Sequence, residues 1–371
     1  MTGARHDPLP PTAWQAATRF GSGEVPESLR PLGQGNVHDT FLVTLEGLPP
    51  RRFVLQRLNP RVFPRPQVLA ANLRVVTAHL RRPGPGAGRA DLVLPQPLAT
   101  REGEDLWRDP EGFWWRALTY LEGTRAPLVL EGRSHAQEVG WALGRFHALL
   151  RDLSPALLAD PLPGFHITPA YVTHFDEVAG RALCPSTPEV RYLLKAIAAR
   201  RGLAGVLEAA KARGELPLRI MHGDPKVDNV LLEERSGRAV GLVDLDTVGP
   251  GLWHYDLGDC LRSAANPLGE ETREWERVRF DPEAAAAILR GYREGARNLW
   301  TPRERAYLYP AIRLLPFELG LRFFTDYLAG NVYFKVTDPE QNLRRALVQF
   351  RLLESLEAQE REIRTLIREG F

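Results

Sequence analysis

The chain has 371 residues, of which 44% are hydrophobic and 25% are charged, and its formal net charge is only +2. This length allows two domains with a sizeable core, and the near-neutral charge gives no reason to expect a nucleic acid or an anionic membrane as a partner. No apolar run approaches the ~20 residues that a membrane helix needs, residues 1–11 lack the apolar centre of a signal peptide, and Cys184 and Cys260 have no metal-type spacing, so we expect reduced thiols in a cytoplasmic protein.

Residues 1–122 are predicted to form a small, mostly β-stranded lobe. Alternating apolar residues between turn signals predict strands, and apolar residues at helical spacing predict one helix. The strands are expected at 40–43, 52–58, 91–97, 104–108 and 113–121, and the helix at 66–82. Residues 122–124 have the composition of a hinge, so we place the domain boundary between 122 and 123.

Residues 123–371 are predicted to be mainly helical. Ser134 followed by Gln137 is a capping-box signal for a helix. Residues 187–188, Thr-Pro, are predicted to begin a long helix that ends at Gly214. Three more helices are expected where a capping residue precedes a proline, at Asp281-Pro282, Thr301-Pro302 and Asp338-Pro339. The whole chain should therefore have an α+β fold.

The most informative segment is residues 222–229, which read HGDPKVDN, with Asp244 fifteen residues after Asn229. Apolar residues follow Asn229 and precede Asp244, which predicts two strands that bring both side chains to the same edge. Phosphoryl transfer from ATP needs a carboxylate to receive the acceptor's proton, and a polar side chain with a second carboxylate to hold magnesium. We therefore predict Asp224 as the base and Asn229 and Asp244 as Mg²⁺ ligands, with Asp246 as an additional ligand or a supporting group.

Two other residues of this segment have predicted roles. His222 is expected to hold the loop rather than to move protons. Lys226 is predicted to neutralise charge on the transferred phosphoryl group, because it follows the base by two residues as a lysine does in protein kinases. A solvated loop lysine is the alternative. The chain has four lysines among 48 basic residues, which makes a lysine at this place notable.

These residues resemble the aminoglycoside phosphotransferase and choline kinase superfamily. Further segments resemble its N-acetylhexosamine 1-kinase branch: FVLQR at 53–57, VDLDTVGPG at 243–251, YDLGD at 255–259, RFFTDYL at 322–328 and VYF at 332–334. The resemblance implies a protein-kinase-like two-lobe fold, with a β-rich N-terminal lobe that binds nucleotide and a larger helical lobe for catalysis and acceptor binding. It also implies ATP and Mg²⁺ as cofactors and, as substrate, the anomeric hydroxyl of an N-acetylhexosamine or related sugar.

A glycine-rich turn near the N-terminus is the first candidate for nucleotide binding. Gly33, Gly35 and Asn36 lie where a kinase glycine-rich loop would cover the phosphates, because glycine allows close backbone approach and offers amide donors. A G-x-G sequence is also common in ordinary hairpins, and the third glycine of the protein-kinase pattern is absent.

The remaining nucleotide contacts must differ from those of protein kinases. No lysine precedes Lys195, so the strand lysine that protein kinases place on the phosphates cannot exist. Arg57 is expected to replace it, with Gln56 on the opposite face of the strand as the alternative. Asn72 is a candidate for the place of the partner glutamate on the following helix. Residues 120–123, with Glu122, are expected to line the adenine, and a plain strand end is the alternative.

Arg322 and Tyr333 match positions that the hexosamine-kinase family uses to hold sugar. Arg322 lies in an apolar helix, where an unpaired charge would be costly, so a buried ion pair with Asp326 is the alternative. Asp256 is expected to brace the catalytic loop, as in related kinases. Asp259 and Arg262, three residues apart on a helix, are expected to pair with each other.

Other functions remain open from the sequence alone. The acceptor could be an aminoglycoside or a choline-like amine, which would favour a strongly acidic pocket; Ser263 and Pro225 depart from the hexosamine-kinase pattern. A non-catalytic nucleotide-binding scaffold is the alternative outside the enzymes, favoured by the missing strand lysine and disfavoured by the intact Asp224, Asn229 and Asp244.

Overall fold

The computed structural model describes residues 10–21, 24–33, 37–81, 92–181, 186–297 and 299–371. The chain divides into two compact units. The first comprises Met1–Pro85, Leu94–Glu122 and Leu157–Leu162, and the second comprises Gly86–Val93, Gly123–Ala156 and Pro163–Phe371. Cys184 lies outside the described residues, whereas Cys260 is a buried free thiol.

The first unit is built on an antiparallel sheet. Its strands are β1 (Pro26–Pro31), β2 (Asp39–Leu45), β3 (Arg51–Arg57), β4 (Pro97–Leu98), β5 (Trp107–Arg108) and β6 (Trp114–Thr119), and its helices are α1 (Ala13–Ala17) and α2 (Pro66–Leu80). The strand order is β1-β2-β3-β6-β4, with β5 also paired to β6. The register sets Arg57 opposite Asp39, at the end where β2 begins and β3 ends.

One core cluster of this unit packs the sheet against α1. Phe53 and Leu55 alternate along β3 with more exposed residues, as in a half-buried strand, whereas β2 buries Phe41, Leu42 and Val43 in succession. Trp115 of β6 is fully buried and stacks on Phe41 at 6.2 Å between ring centroids. The predicted strands of this unit at 40–43, 52–58 and 113–121 are therefore present.

The second unit is mainly helical. Its helices are α3 (Arg133–Leu149), α4 (Thr168–Arg181), α5 (Pro188–Arg200), α6 (Val206–Ala212), α7 (Trp253–Ala264), α8 (Pro282–Ala296), α9 (Pro302–Ala306), α10 (Leu308–Leu328), α11 (Gln341–Ala358) and α12 (Glu360–Gly370). Short strands lie between them: β7 (Thr124–Arg125), β8 (Arg219–Met221), β9 (Val230–Glu233), β10 (Ala239–Leu242) and β11 (Gly249–Gly251). Strands β10, β9 and β7 form one small sheet, and β11 pairs with β8 in another.

Helices α3 and α8 pack unusually closely because each presents two glycines to the other. A Cβ atom on Gly140 would lie 1.9 Å from the Ile288 carbonyl oxygen, and one on Gly291 would lie 1.8 Å from that of Gln137. Gly144 and Gly295 face the opposite backbone in the same way. The four-residue spacing of glycines on both helices therefore lets the two backbones touch.

Several sequence-based element boundaries were wrong. Helix α3 begins at Arg133 with Gly132 as its N-cap, so Ser134 lies inside the helix and makes no capping box. The long helix after Thr187 breaks at a 3₁₀ turn, Arg201–Leu203, because glycines at 202 and 205 disfavour helix continuation. The Asp338 side chain accepts the Glu340 N–H, yet α11 begins only at Gln341.

The strand predicted at 91–97 is reduced to an isolated bridge at Val93 and the two residues of β4, and that at 104–108 to β5. The predicted caps at Thr187, Asp281 and Thr301 are present, and Thr301 forms a capping box with Glu304. Among the described residues, the helices are all too short or too polar to span a lipid bilayer.

Candidate active site

The HGD segment lies in a loop between β8 and β9, and Asp244 follows β10. Strands β9 and β10 pair antiparallel, and the Val243 N–H donates to the Asn229 carbonyl at 2.9 Å just beyond the paired strands. Asn229 therefore enters β9 at the edge where β10 delivers Asp244. The hairpin predicted from the apolar residues is present, and it brings these two side chains to one edge.

Asp224, Lys226 and Asn229 are joined by direct contacts. The Lys226 Nζ lies 3.0 Å from Asp224 Oδ2, and Asn229 Nδ2 donates to the Asp224 carbonyl oxygen at 2.7 Å. Burial would raise the pKa of the Asp224 carboxyl, but the Lys226 ammonium holds it below its usual range. The Asp224 carboxylate in turn raises the pKa of Lys226 well above the usual lysine value. The aspartate is thus ionised and the lysine is charged at neutral pH.

Asp244 has an exposed side chain and a left-handed backbone conformation, with φ of 62°. Its carboxylate adds to the field that raises the pKa of Lys226, which sets it close to the Asp224–Lys226 pair. Asp246, two residues later, is buried at the start of the 3₁₀ turn Leu245–Thr247.

The oxygen donors at this edge suit a hard divalent cation that takes its other ligands from substrate phosphates and water. With Nδ2 of Asn229 donating to the loop, Oδ1 is the atom of that side chain that could bind a metal, beside the Asp244 carboxylate. Within the described ranges, no group of three or more His, Cys, Asp or Glu side chains is arranged to hold a metal by itself. Mg²⁺ is usually held by one or two carboxylates together with substrate phosphates, so the donors present suit it.

Asp256 of α7 holds the loop from beneath. Its Oδ2 accepts the His222 N–H and its Oδ1 accepts the Gly223 N–H, both at 2.7 Å, and the side chain is fully buried. Burial would raise the pKa of this carboxyl, but its hydrogen bond from His147 keeps it below the usual range. The expectation that Asp256 braces the loop agrees with these contacts.

His147 connects this brace to the close helix pair. Its Nε2 lies 2.8 Å from Asp256 Oδ2 and its Nδ1 lies 2.7 Å from the hydroxyl of Tyr292 on α8. Burial lowers the pKa of His147, so the ring is neutral, donates from Nε2 to Asp256 and accepts from Tyr292 at Nδ1. The α3–α8 contact thus extends through buried hydrogen bonds to the HGD loop.

His222 is occupied by backbone groups on both ring nitrogens. Its Nε2 donates to the Val243 carbonyl at 3.0 Å, and its Nδ1 accepts the Asp224 N–H at 3.3 Å. The side chain is fully buried. These contacts fit a residue that shapes the loop and links it to β10.

Arg322 of α10 lies among aromatic rings rather than in an ion pair with Asp326. Its guanidinium carbon is 5.1–5.7 Å from the ring centroids of Phe165, Tyr171, Tyr333 and Phe334. The carboxylate of Asp326 instead accepts the N–H groups of residues 332–334 and the amide of Asn342. The Asp326 side chain therefore shapes the loop that carries Tyr333, which is half exposed.

Arg262 of α7 pairs with two carboxylates. Arg262 Nε lies 2.7 Å from Asp259 Oδ1, as the spacing on the helix predicts, and its Nη1 lies 3.0 Å from Glu270. Arg262 also contributes to the lowered pKa of Asp224. A buried, fixed cation with its counter-charges thus lies near Asp224.

The candidate nucleotide residues belong to the first unit, apart from those that lie outside the described part. Arg57 donates to Asp39 from Nε at 2.8 Å and from Nη2 at 2.6 Å and lies over the ring of Phe113, whereas Gln56 bonds to Thr40 and Arg116. Gly33 has a φ of 74° and open space around its α-carbon. Gly35 and Asn36 lie outside the described residues.

Two other candidates of this unit have local partners. The Glu122 carboxylate is bound by the Arg52 guanidinium, which lies over Tyr120. Asn72 exchanges two hydrogen bonds with the main chain of Ala159, at 2.7 and 3.1 Å. The amide of Asn72 therefore supports the backbone at Ala159, and the idea that it takes the place of the kinase glutamate was wrong.

Four residues of the second unit were missed from the sequence. His147 and Glu318 carry no motif, and Phe165-His166 lies in an irregular segment before α4. The sequence feature that could have pointed to them is a histidine or a glutamate within an otherwise apolar helical face, because a buried polar side chain requires a partner. The identity of those partners depends on tertiary contacts more than a hundred residues away in sequence.

Comparisons with known proteins agree with this geometry. Residues 28–307 match the model of a family described as the phosphotransferase enzyme family. A solved microcompartment-associated aminopropanol kinase is 16% identical, covers 94% of this chain and 97% of its own, and has a TM-score of 0.65. An aminoglycoside phosphotransferase from Alicyclobacillus acidocaldarius is 16% identical, covers 98% of both chains and has a TM-score of 0.61.

An amicoumacin kinase in complex with AMP-PNP and Ca²⁺ is 17% identical, covers 93% of this chain and 92% of its own, and has a TM-score of 0.59. Similarity to solved structures at 16–17% sequence identity is evidence for the fold alone. The three structures confirm the protein-kinase-like α+β fold, with a β-sheet N-terminal region and a helical C-terminal region.

Proposed function

Because the chain belongs to the phosphotransferase enzyme family and is a small-molecule kinase, we propose that it transfers the γ-phosphoryl group of ATP to the anomeric hydroxyl of an N-acetylhexosamine or a related sugar. The observation that carries the transfer is the joined set of Asp224, Lys226 and Asn229 next to Asp244. ATP as the donor is supported by the likeness to a kinase bound to AMP-PNP.

Asp224 is the base in this proposal. Its lowered pKa keeps it ionised, so it can accept the proton of the acceptor hydroxyl. Lys226 stays cationic and can place its charge on the transferred group. ATP is the phosphoryl donor in this proposal, and a bound Mg²⁺ would neutralise charge on its phosphates. We assign Oδ1 of Asn229 and the Asp244 carboxylate to hold that metal, with Asp246 as an additional ligand or a supporting group.

We assign nucleotide binding to the first unit and catalysis with acceptor binding to the second. Arg57 is proposed for the phosphates, because a guanidinium at the end of β3 is held by one partly exposed carboxylate, Asp39, and can exchange it for phosphate. Gly33, Gly35 and Asn36 are proposed to approach the phosphates through the backbone. Glu122 marks the strand end proposed to line the adenine.

The aromatic cluster around Arg322 favours a neutral acceptor over a cationic amine. The guanidinium of Arg322 already lies over the rings of Tyr171 and Tyr333, and its positive charge would repel an ammonium brought to the same cluster. A sugar offers oxygens that accept hydrogen bonds from a guanidinium and aliphatic faces that pack on a tyrosine ring. We therefore propose Arg322 and Tyr333 as sugar-binding residues.

The acceptor proposal is tested by measuring ADP formation with Mg²⁺·ATP over a panel of N-acetylhexosamines, hexoses, aminoglycosides and small amino alcohols. We expect turnover with an N-acetylhexosamine, a ³¹P NMR signal of the product that couples to the anomeric proton, and no reaction of the product in a reducing-sugar assay. Efficient turnover of an amino alcohol or aminoglycoside, with no turnover of any sugar, would show that the acceptor assignment is wrong and leave the kinase assignment intact.

The residue assignment is tested with Arg322→Ala and Tyr333→Phe. We expect each change to raise KM for the sugar and to leave KM for ATP nearly unchanged. Arg313→Ala is the matched control, because Arg313 also lies on α10 over an aromatic ring, but pairs with Glu357 at 2.5 Å. Equal effects of Arg322→Ala and Arg313→Ala on the sugar KM would contradict a specific role for Arg322.

A further inference from the structure

His166 links the acceptor side of the second unit to the HGD loop. Its Nδ1 lies 2.8 Å from Glu318 Oε1 on α10, and its Nε2 lies 3.1 Å from the Gly223 carbonyl oxygen, one residue before Asp224. The ring is buried and stacks on Tyr255 of α7 at 4.9 Å between centroids. One side chain thus contacts both α10 and the loop that carries the proposed base.

Both partners of the ring can only accept hydrogen bonds. A carbonyl oxygen has no proton to give, and Glu318 is ionised: burial would raise the pKa of its carboxyl, but His166 keeps it below the usual range. Thr168 donates to the second carboxylate oxygen at 2.5 Å. Both nitrogens of His166 must therefore carry a proton for both contacts to be hydrogen bonds.

The surroundings favour this charged ring. Burial would lower the pKa of His166, but Glu318 raises it above the usual histidine value. The titratable or charged groups around the ring come from three helices and the HGD loop. They are Glu318 of α10 with Arg322 acting on it, Asp259 of α7 with its partner Arg262, Tyr255 of α7, Tyr171 of α4, and the Asp224–Lys226 pair that follows Gly223 in the loop. Glu318, in direct contact with the ring, is the main charge that favours the protonated form, and the more distant Asp259 adds to it although it is paired with Arg262.

We propose that His166, with a proton on each ring nitrogen, is a positioning residue that fixes the Gly223 carbonyl, and with it Asp224, relative to the acceptor-binding helix α10. The adjacent Phe165 lies over the Arg322 guanidinium at 5.4 Å. Phe165 therefore contacts the aromatic cluster around Arg322, and His166 contacts the HGD loop. The role of Asp224 as base rests on the proposed function. The protonation of His166 and its hold on the loop do not.

The kinetic test uses His166→Asn. His166 has a φ of 58°, a conformation that asparagine tolerates better than most residues. The asparagine amide is shorter than the imidazole, so it can bond to Glu318 or to Gly223 but cannot bond to both at once. We expect kcat to fall about 10- to 100-fold, as for a displaced catalytic group, with KM for ATP little changed. His135→Asn is the control, because His135 is also buried but accepts the Glu131 N–H at the start of α3.

The pH dependence separates positioning from simple packing. A raised pKa means that the contribution of the ring is complete at and below the usual histidine value and is lost as pH rises through the raised one. The ratio of wild-type kcat to His166→Asn kcat should therefore be largest at and below neutral pH and decrease in alkaline solution. Glu318→Gln should lower kcat and flatten the same dependence. A ratio that stays constant with pH would overturn the proposal.

A third measurement uses only wild-type protein and therefore does not depend on whether a variant folds. In wild-type protein labelled with ¹⁵N-histidine, both ring nitrogens of one buried histidine should have the shifts of protonated nitrogen at neutral pH and titrate together above the usual range. Spectra in which all buried histidines are neutral would overturn the proposal. A turnover that survives Asp224→Asn would instead overturn the proposed base, while these spectra would still report on His166.

Discussion

The carboxylate of Asp256 accepts the main-chain N–H of Gly223 at 2.7 Å, one residue before the proposed base. A second N–H, from His222, and the ring of His147 complete its contacts. The carboxylate is fully buried, so each of these bonds is made to a charge in a low-dielectric environment. The loop conformation therefore depends on a residue that does not itself face the acceptor.

We expect Asp256→Asn to lower both stability and turnover. The amide has one acceptor oxygen where the carboxylate has two, so a buried N–H of the loop loses its partner, at a cost of about 1–3 kcal/mol. Urea unfolding and kcat at saturating substrates check this. The matched control is Asp281→Asn, because Asp281 caps α8 and asparagine caps helices equally well. Equal, small effects of the two changes would contradict the bracing role.

Asp224→Asn should abolish most turnover and leave the affinity for Mg²⁺·ATP within a few-fold. Loss of a general base typically lowers the rate about 10²–10⁴-fold. The amide keeps the shape of the side chain but cannot take the proton. Single-turnover rates and nucleotide titration calorimetry measure the two quantities separately. A near-normal kcat with saturating acceptor would exclude Asp224 as the base.

Asp244→Ala should have the opposite signature, namely loss of the magnesium enhancement of nucleotide binding. The carboxylate is proposed to hold the metal rather than to move a proton, so its loss acts on binding. Calorimetry with ATP, with and without Mg²⁺, tests this. The control is Asp228→Ala, next to Asn229 in the HGD loop but without an assigned ligand role. If Asp244→Ala retains the full enhancement, another group binds the metal.

Local pattern predicted the hairpin that joins Asn229 to Asp244, because strand periodicity and the turn between them are encoded within a few residues. Thr187, Asp281 and Thr301 were likewise recognisable as helix starts from a cap followed by proline. The capping box predicted at Ser134 is absent because α3 begins at Arg133 with Gly132 as its N-cap, which places Ser134 at the second position inside the helix.

Contacts between distant segments could not be read in this way. The alternative for Arg322 was an ion pair with Asp326, four residues further along the helix, whereas the structure gives it aromatic partners from residues 165 and 171. Asp326 is satisfied by backbone N–H groups that only the folded loop presents. Sequence showed that a charge in an apolar helix needs partners, but not which ones.

Arg57→Ala should raise KM for ATP and spare KM for the acceptor, since the guanidinium is proposed to contact phosphate. The ion pair with Asp39 makes a sharper comparison possible. If Arg57 serves only that pair, Asp39→Asn and Arg57→Ala will have the same effect. If Arg57 binds the nucleotide, Asp39→Asn will leave KM for ATP unchanged or lower it. Gln56→Ala as the damaging change would transfer the role to Gln56.

Gly291→Ala should destabilise the second unit strongly. The new Cβ would lie 1.8 Å from the Gln137 carbonyl oxygen, and backbone cannot move aside as a flexible side chain can, so α3 and α8 must separate. Overpacking of this kind costs about 1–3 kcal/mol or more. Because Tyr292 follows directly and donates to His147, the separation should also lower kcat of the folded enzyme.

Gly180→Ala is the control for this change, because Gly180 also lies in a helix, α4, but has open space around its α-carbon. Alanine is the better helix former by up to about 1 kcal/mol, so this variant should be as stable as the wild type or more stable. Urea unfolding of both variants, with kcat measured on the folded fraction, makes the comparison. If Gly291→Ala is as stable as Gly180→Ala, the close backbone contact between α3 and α8 does not exist in solution.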